Sequence, residues 1–140
     1  MKKLTIDQFL KAADRLENGL AIYDRERKLL YFNKAGREHL PDMCRVMFDE
    51  GGSLEEGVRA QIKANFPDLS EEHIALAEQD IMTSVMASEE RELPAANGRT
   101  IRIYHTQTDD GFLIGLTVDI SQLRQREREL KKARKAAEAA

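Results

Sequence analysis

Apolar residues recur at helical spacing in three stretches of the chain, 4–16, 53–65 and 71–88. The first two stretches open with a Ser/Thr-x-x-Glu/Gln capping box, which satisfies free backbone N–H groups at a helix start. The spacing predicts three amphipathic helices, each with one apolar face to bury. These faces consist of Ile6, Phe9, Leu10, Ala13 and Leu16 in the first, Leu54, Val58 and Ile62 in the second, and Ile74, Ala77, Ile81 and Val85 in the third.

Period-two alternation of apolar and polar residues predicts strands in other parts of the chain. Five stretches are assigned as strands, and they are 19–24, 29–33, 92–95, 99–107 and 112–118. Asn97-Gly98 predicts a two-residue hairpin loop between the third and fourth strands, because such a loop needs positive φ. Along the fourth strand, Ile101, Ile103 and His105 point to one face. A strand pair, then helices, then three consecutive strands predict an α+β fold with one antiparallel five-stranded sheet and its helices on one face.

A further short helix is predicted after the second strand. Asn33 can cap its start with the side-chain oxygen, and Lys34 is its first residue. Pro41 is predicted to end this helix, because proline lacks a backbone N–H and clashes with the preceding turn.

The last predicted strand runs through Asp119-Ile120-Ser121 directly into a highly charged helix, 122–140. A carboxylate at such a junction can cap the helix and pair with a nearby Arg or Lys. Within the helix a seven-residue repeat predicts a weak parallel coiled coil, with a solvated single helix as the alternative. The seam consists of Leu123, Arg126, Leu130, Ala133 and Ala137, and Arg126 is the one poor core residue among them.

Composition limits the classes of function that the chain fits. Its 140 residues make about one domain, and the net charge of -3 argues against nucleic-acid binding. Glutamates interspersed among the Lys and Arg of the last helix indicate a solvated face rather than a lipid or nucleic-acid contact. The single cysteine, Cys44, fits a reducing compartment, and no apolar run is long enough to span a membrane. We therefore expect a cytoplasmic protein without membrane insertion in this chain.

Several short segments resemble PAS domains of bacterial sensor proteins. They are 17–24, 30–35, 97–103, 110–111 and 118–121, and together they cover roughly residues 17 to 121. Asp119-Ile120-Ser121 is similar to the Asp-Ile-Thr element that closes many PAS domains, with Ser121 in place of Thr. Residues 129–140 resemble the linker helix that follows PAS domains in histidine kinases and diguanylate cyclases.

The resemblance implies a PAS-like sheet with an N-terminal capping helix and a C-terminal signalling helix. The corresponding segments are 1–18, 19–121 and 122–140. It also implies that Asp119, Ile120 and Ser121 couple the sheet to the helix. The expected function is sensory or dimerising, as part of a longer signal-transduction protein whose output is a histidine kinase or, alternatively, a diguanylate cyclase. A ligand-free structural dimerisation domain is the rival interpretation.

Two groups of residues are candidates for binding. A homodimer is expected through the N-terminal and C-terminal helices, and the N-terminal contact would use Ile6, Phe9, Leu10 and Ala13. An alternative for that helix is packing on the sheet of its own chain. A small-molecule pocket, if the input is a ligand, would use Ile101, Ile103, His105 and Met82.

The sequence contains no complete motif for binding a cofactor or for catalysis. Cys44-Arg45 resembles part of the flavin photoreceptor motif, but Met43 precedes it and the rest of that motif is missing, so we expect no flavin. His73 lies in a polar first helical turn, so we expect an exposed side chain rather than a haem ligand. No Cys/His cluster has metal-ligand spacing, and no glycine-rich phosphate loop is present, so we expect neither a metal site nor an enzyme.

Overall fold

The computed structural model describes residues 3–139, except for the side chain of Ala96. Met1, Lys2 and Ala140, which belong to the predicted terminal segments, lie outside the described residues. The elements are α1 (Ile6–Ala13), β1 (Gly19–Tyr23), β2 (Leu29–Phe32), α2 (Lys34–His39), α3 (Pro41–Cys44, continued by a π-helical turn Arg45–Asp49), α4 (Leu54–Asn65), α5 (Glu71–Met86), β3 (Arg91–Pro94), β4 (Thr100–Gln107), β5 (Leu113–Asp119) and α6 (Ser121–Ala139).

The five strands form one antiparallel sheet in the order β2-β1-β5-β4-β3. The last strand in the chain therefore lies in the centre of the sheet, between β1 and β4. This order and the helices on one face confirm the predicted PAS-like α+β fold.

The core lies between one face of the sheet and helices α2 to α5. Because side chains alternate across a strand, the odd-numbered residues of β1, β4 and β5 face this core. Buried members of the cluster include Ala21, Tyr23, Ile101, Ile103 and Leu113 from the sheet, and Leu54, Val58, Ile74, Ile81 and Val85 from the helices. The opposite face carries half-buried apolar side chains, among them Leu20, Ile22, Tyr104, Leu116 and Val118.

The helix starts follow the predicted local signals. Thr5 and Ser53 each form the predicted capping box, and Ser70 accepts a hydrogen bond from the backbone N–H of His73 at the start of α5. Asn33 caps α2 through Gly36, as predicted.

Asn33 also makes contacts that local patterns do not reveal. Its buried side chain accepts a hydrogen bond from Leu20 N–H at 2.8 Å, and it donates to the carbonyls of Ala13 at 2.8 Å and Asn18 at 3.0 Å. Asp14 accepts a hydrogen bond from the backbone N–H of Lys34 at 3.0 Å. These contacts draw the chain after Ala13 towards β2, so α1 ends there and the expected helix to Leu16 is too long.

α2 ends before Pro41, as predicted, but the sequence pattern did not reveal that Pro41 also begins α3. The missing N–H costs nothing there, because the first turn of a helix leaves its N–H groups free. The predicted two-residue hairpin loop was wrong: residues 95–99 join β3 to β4, and three of them lie inside the hydrogen bond that Ala95 N–H donates to the carbonyl of Arg99. The expected positive φ is present at both Asn97 (61°) and Gly98 (72°).

Candidate functional site

A cavity of about 240 Å³ lies between the sheet and helices α4 and α5. Most of its wall is apolar, with Phe32, Val58, Ile81, Val85 and Leu93 as examples. The polar residues of the wall are Gln61, Asn65, Arg91, His105 and Thr117, together with the phenol of Tyr23. The cavity can therefore hold a small, mainly apolar molecule and offers it a few hydrogen-bonding groups.

The structure brings two of the four predicted pocket residues into this wall. Ile103 and His105 line the cavity from β4. Ile101 is 0% exposed and lies further along β4, opposite Leu93, where it packs in the core, so its assignment to the pocket is corrected. Met82 is corrected as well, since Ala77, Ile81 and Val85 are the α5 residues in the wall and Met82 packs beside the core.

Arg91 is a member of the cavity wall that the sequence pattern did not reveal. It sits on β3 opposite Ile103, and its guanidinium pairs with Asp80 and donates to Ser84 Oγ at 3.4 Å on α5. Its Nε is buried and has no hydrogen-bond partner among the described residues. A buried donor without a partner costs roughly 1–3 kcal/mol, so this atom is a local cost to the stability of the domain.

His105 is the second polar group on this part of the wall. Burial lowers the pKa of its imidazole to about 4, so the ring is neutral at pH 7. It lies against Gly115 on β5, where an added Cβ would be 3.2 Å from His105 Nε2. Glycine at position 115 thus leaves room for the histidine ring beside the central strand.

The core face of β5 forms part of the cavity wall. Gly115 and Thr117 both line the cavity, and Thr117 Oγ1 lies 2.8 Å from Nδ1 of the buried His39 on α2. Burial lowers the pKa of His39, so this contact joins a neutral imidazole and a hydroxyl. Strand pairing joins β5 to β1 and β4, and the contact between Thr117 and His39 joins it to α2.

The same strand ends at the predicted coupling element. Asp119 is the last residue of β5, Ile120 is buried, and Ser121 is the first residue of α6. Ile120 N–H donates to the carbonyl of Thr100 at 2.9 Å, and Thr100 N–H donates to Ser121 Oγ at 2.9 Å. The start of α6 is therefore hydrogen-bonded to the first residue of β4.

Asp119 makes both contacts that were expected of a carboxylate at this junction, one with the start of α6 and one with an arginine. Its carboxylate accepts a hydrogen bond from Ser121 N–H at 2.9 Å and lies 3.9 Å from the guanidinium of Arg99. Burial raises the pKa of the Asp119 carboxyl, but the hydrogen bonds from Ser121 and the charge of Arg99 outweigh it and hold that pKa below its ordinary value. On α6 itself, Arg124 forms an ion pair with Glu92 of β3, which the sequence pattern did not predict.

The five predicted seam residues all lie on the exposed surface of α6, and Leu130 is 65% exposed. On α1, Ile6 is 80% exposed, and Phe9 and Leu10 are partly exposed, with the Phe9 ring 6.3 Å from that of Tyr31 on β2. Ala13 is 2% exposed within its own chain, so its assignment to a contact with a second copy is corrected. The coiled coil and the dimer contact stay predictions.

The side chains considered for cofactors lie apart from the cavity. Cys44 is buried, and burial raises the pKa of its thiol. His73 is exposed and hydrogen-bonded to Ser70 at 2.7 Å. Among residues 3–139 there is no group of three or more His, Cys, Asp or Glu placed to hold a metal ion. Within the same range, no helix has the length and apolar character needed to cross a membrane.

The strand order and the helices on one face of the sheet give this chain a PAS-like fold. No protein-family model matches the sequence, and no curated protein matches it. Among solved structures, the chain is similar to the PAS domain of Bordetella pertussis BvgS, with 19% identity over 91% of this chain and 97% of that one and a TM-score of 0.46.

A second similar structure is the Cronobacter turicensis RpfR quorum-sensing receptor PAS domain in complex with C12:0 (14% identity, 76% and 96% coverage, TM-score 0.43). A third is a domain of a sensory box sensor histidine kinase/response regulator from Geobacter sulfurreducens (18%, 81% and 92%, 0.41). The strand order and helices of this chain, rather than these distant alignments, carry the assignment of the fold.

Proposed function

We propose that this chain is a sensory and dimerising module that passes a change in its cavity to a downstream output domain through α6. The output in this proposal is a histidine kinase, with a diguanylate cyclase as the alternative. One observation carries the proposal: β5 lines the cavity with Gly115 and Thr117 and continues through Asp119–Ser121 into α6. Cavity wall and output helix are thus parts of one continuous segment.

The proposed mechanism uses the hydrogen bonds at the junction. A change in packing around Gly115 or Thr117 shifts β5 against its neighbours. Because Ile120 N–H and Ser121 Oγ are both bonded to Thr100, the start of α6 follows any change between β4 and β5. The helix then changes rotation or register against a second copy. Ala133 and Ala137 bury little area at the seam, so alternative packings differ little in free energy and a modest input can shift their populations.

A homodimer is part of this proposal. Its support is the apolar surface that the single chain leaves exposed, Ile6 and Leu10 on α1 and Leu123 and Leu130 on α6. The module acts in the cytoplasm without nucleic acid, membrane insertion or catalysis of its own. A signalling helix pair of this kind depends on the domain to hold its two helices together.

A ligand-free structural dimerisation domain is the second candidate, and the exposed stripe of α1 favours it equally. Native mass spectrometry of the purified chain separates the two. A bound small-molecule mass supports the ligand-sensing form of the proposal. If the protein purified from every expression host has the mass of a dimer with nothing bound, the result supports the ligand-free dimerisation domain.

Cysteine crosslinking along α6 tests the proposed transmission. Single cysteines are placed at positions 122–137 of a Cys44→Ala background, and disulfide yields are compared between two states of the cavity. Gly115→Ala supplies the second state, because its added methyl must displace His105 or the strand. We expect the positions of highest yield to move along or around the helix. Thr106→Ala, on the outward side of β4, is the control and should leave the pattern unchanged. One pattern common to all of these proteins would contradict the proposal.

A further inference from the structure

Tyr23 carries a hydroxyl group that the domain itself leaves without a hydrogen bond. The residue is 1% exposed, and burial raises the pKa of its phenol, so the group is uncharged. None of the described residues donates to its oxygen or accepts from its O–H. Buried tyrosine hydroxyls usually have a partner, so the cavity that Tyr23 lines is the place where such a partner can bind.

The Tyr23 hydroxyl differs from Arg91 Nε because it can be reached from the cavity. Arg91 Nε is the one side-chain nitrogen or oxygen among the described residues that is both fully enclosed and without a partner. Since the hydroxyl also has no partner, it is not fully enclosed and keeps some accessible surface. Tyr23 lines the cavity and is otherwise buried, so this surface faces the cavity.

His105 is a second polar group without a partner, and its ring lies beside Tyr23 above the central strand. A Cβ added at Gly115 would be 3.2 Å from His105 Nε2 and 3.6 Å from Tyr23 Cε2. The missing side chain at position 115 therefore lets both rings approach the same point on the core face of β5. A phenol can donate and accept a hydrogen bond, and a neutral imidazole has one donor and one acceptor nitrogen.

The other neutral polar side chains of the wall are engaged within the domain. Gln61 donates to Asn65 at 3.2 Å, and Thr117 is in hydrogen-bond contact with His39. The cavity therefore offers a ligand its free hydrogen-bonding groups at one place, above Gly115.

Charge further limits which molecules suit the cavity. Arg91 is the one cationic side chain among the described residues of the wall, and its guanidinium is already paired with Asp80. The hydrogen bond from Arg91, helped by its charge, lowers the pKa of Asp80, so the carboxyl is ionised at neutral pH and balances the guanidinium. An ionised ligand would find no free counter-charge in this apolar cavity, which is strongly unfavourable.

From this arrangement we propose that the cavity binds an uncharged, mainly apolar small molecule whose neutral oxygen accepts a hydrogen bond from the Tyr23 hydroxyl, beside His105. The volume of about 240 Å³ suits such a ligand. By proportion to cavities that hold one benzene ring, it takes roughly ten non-hydrogen atoms. The proposal rests on the proposed sensory function and adds the chemical class of its input.

Three probes with the same number of non-hydrogen atoms test this class. Acetophenone has an apolar ring and a neutral carbonyl, cumene lacks the oxygen, and benzoate carries a negative charge. Each is titrated into the full chain and followed by NMR at Tyr23, His105 and Ile103. We expect acetophenone to bind about tenfold more tightly than either of the others, because it alone supplies a neutral acceptor. Its binding should also shift the carbon signal of Tyr23 Cζ, which carries the hydroxyl, more than cumene does.

Matched variants assign the preference to the Tyr23 hydroxyl. Tyr23→Phe keeps the ring and removes only the hydroxyl, and it should bind acetophenone and cumene equally. Tyr104→Phe removes a hydroxyl from the outer face of β4 and should keep the wild-type preference.

The stability of the ligand-free chain gives an independent test of the unpartnered hydroxyl. Tyr23→Phe removes a polar group that the domain does not satisfy, so its melting temperature should equal or exceed that of the wild type. A lower melting temperature for Tyr23→Phe, with Tyr104→Phe unchanged, would show that the hydroxyl has a structural partner within the domain and would overturn the proposal.

Other outcomes also overturn the proposal. Equal or tighter binding of cumene would remove the role of the oxygen, and tightest binding of benzoate would show that the site prefers an anion. Failure of all three probes to shift cavity signals would have the same consequence. If acetophenone binds as expected but α6 crosslinking does not respond to it, the ligand class stands and the proposed transmission fails. If no probe binds while Gly115→Ala changes the crosslinks, the transmission stands and the ligand class fails.

Discussion

At the scale of single residues, His105 links the cavity to the stability of the domain. Its folded-state pKa of about 4 lies below the ordinary value of 6.5, so between these two pH values the unfolded chain binds a proton that the folded chain does not. The free energy of unfolding therefore falls as the pH is lowered from 6.5 to 4. The buried His39, whose pKa is also lowered, adds to this loss in the same direction.

His105→Gln should reduce this acid sensitivity, because glutamine does not titrate. We expect the stability lost between pH 6.5 and pH 4 to be smaller by about 3 kcal/mol at most, the full value of a shift of this size. Urea denaturation at a series of pH values measures it. Thr106→Gln places the same side chain on the next residue and the exposed side of the strand, and it should keep the wild-type slope. An unchanged slope in His105→Gln would show that the imidazole is protonated in the folded chain.

Residues with local roles could be predicted from the sequence, and those with distant partners could not. Thr5 and Ser53 cap helices through groups three residues away, so their roles are visible in the sequence pattern. Arg91 depends on Asp80 and Ser84 and on where α5 covers the sheet, so neither its buried Nε nor its place in the cavity has a sequence signal. His105 was found because the period of two fixed its face.

At the scale of elements, the junction between β5 and α6 depends on one hydroxyl. Ser121→Ala removes the acceptor for Thr100 N–H, and losing such a hydrogen bond costs about 1 kcal/mol. We expect faster hydrogen exchange at the Thr100 amide and a loss of stability of that size. Ser121→Thr keeps the hydroxyl and should retain most of the protection. Equal exchange rates in Ser121→Ala and the wild type would contradict this role for the side chain.

Arg126 limits the predicted pairing of α6. If the seam is correct, Arg126→Leu replaces a charged residue at a core position with a good one and should lower the dimer dissociation constant about tenfold or more. Sedimentation equilibrium over a range of concentrations measures the change. Arg128→Leu adds the same apolar area outside the seam and should have little effect. Equal strengthening by both substitutions would show that general hydrophobicity, not this seam, drives association.

Strand pairing shows the limit of sequence patterns at this scale. Alternation located β4 and β5 closely, but the pairing of β1 with β5 joins residues 90 to 98 positions apart and follows only from the complete sheet. The resemblance to PAS domains, rather than the alternation, led us to expect a PAS-like sheet. α1 was predicted too long because the contacts of Asn33 that end it come from the second strand.

At the scale of the whole molecule, the sheet has two surfaces with different roles. Its core face forms the cavity wall, while Leu20, Ile22 and Leu116 on the outer face are only half buried. The N-terminal helix reaches this outer side through Phe9 and Tyr31, and α6 reaches it through Arg124 and Glu92. A second copy that covers these apolar surfaces would hold both helices in place, and dimerisation would then support the proposed signalling.

We propose above that β5 carries a change from the cavity to the start of α6. Amide NMR spectra of the wild type, Gly115→Ala and the control Thr106→Ala test it within the domain, whether or not the chain dimerises. We expect shifts at Thr100, Ile120 and Ser121 in Gly115→Ala, and unchanged signals at these residues in Thr106→Ala. Changes confined to His105 and Tyr23, with the three junction amides in their wild-type positions, would contradict it.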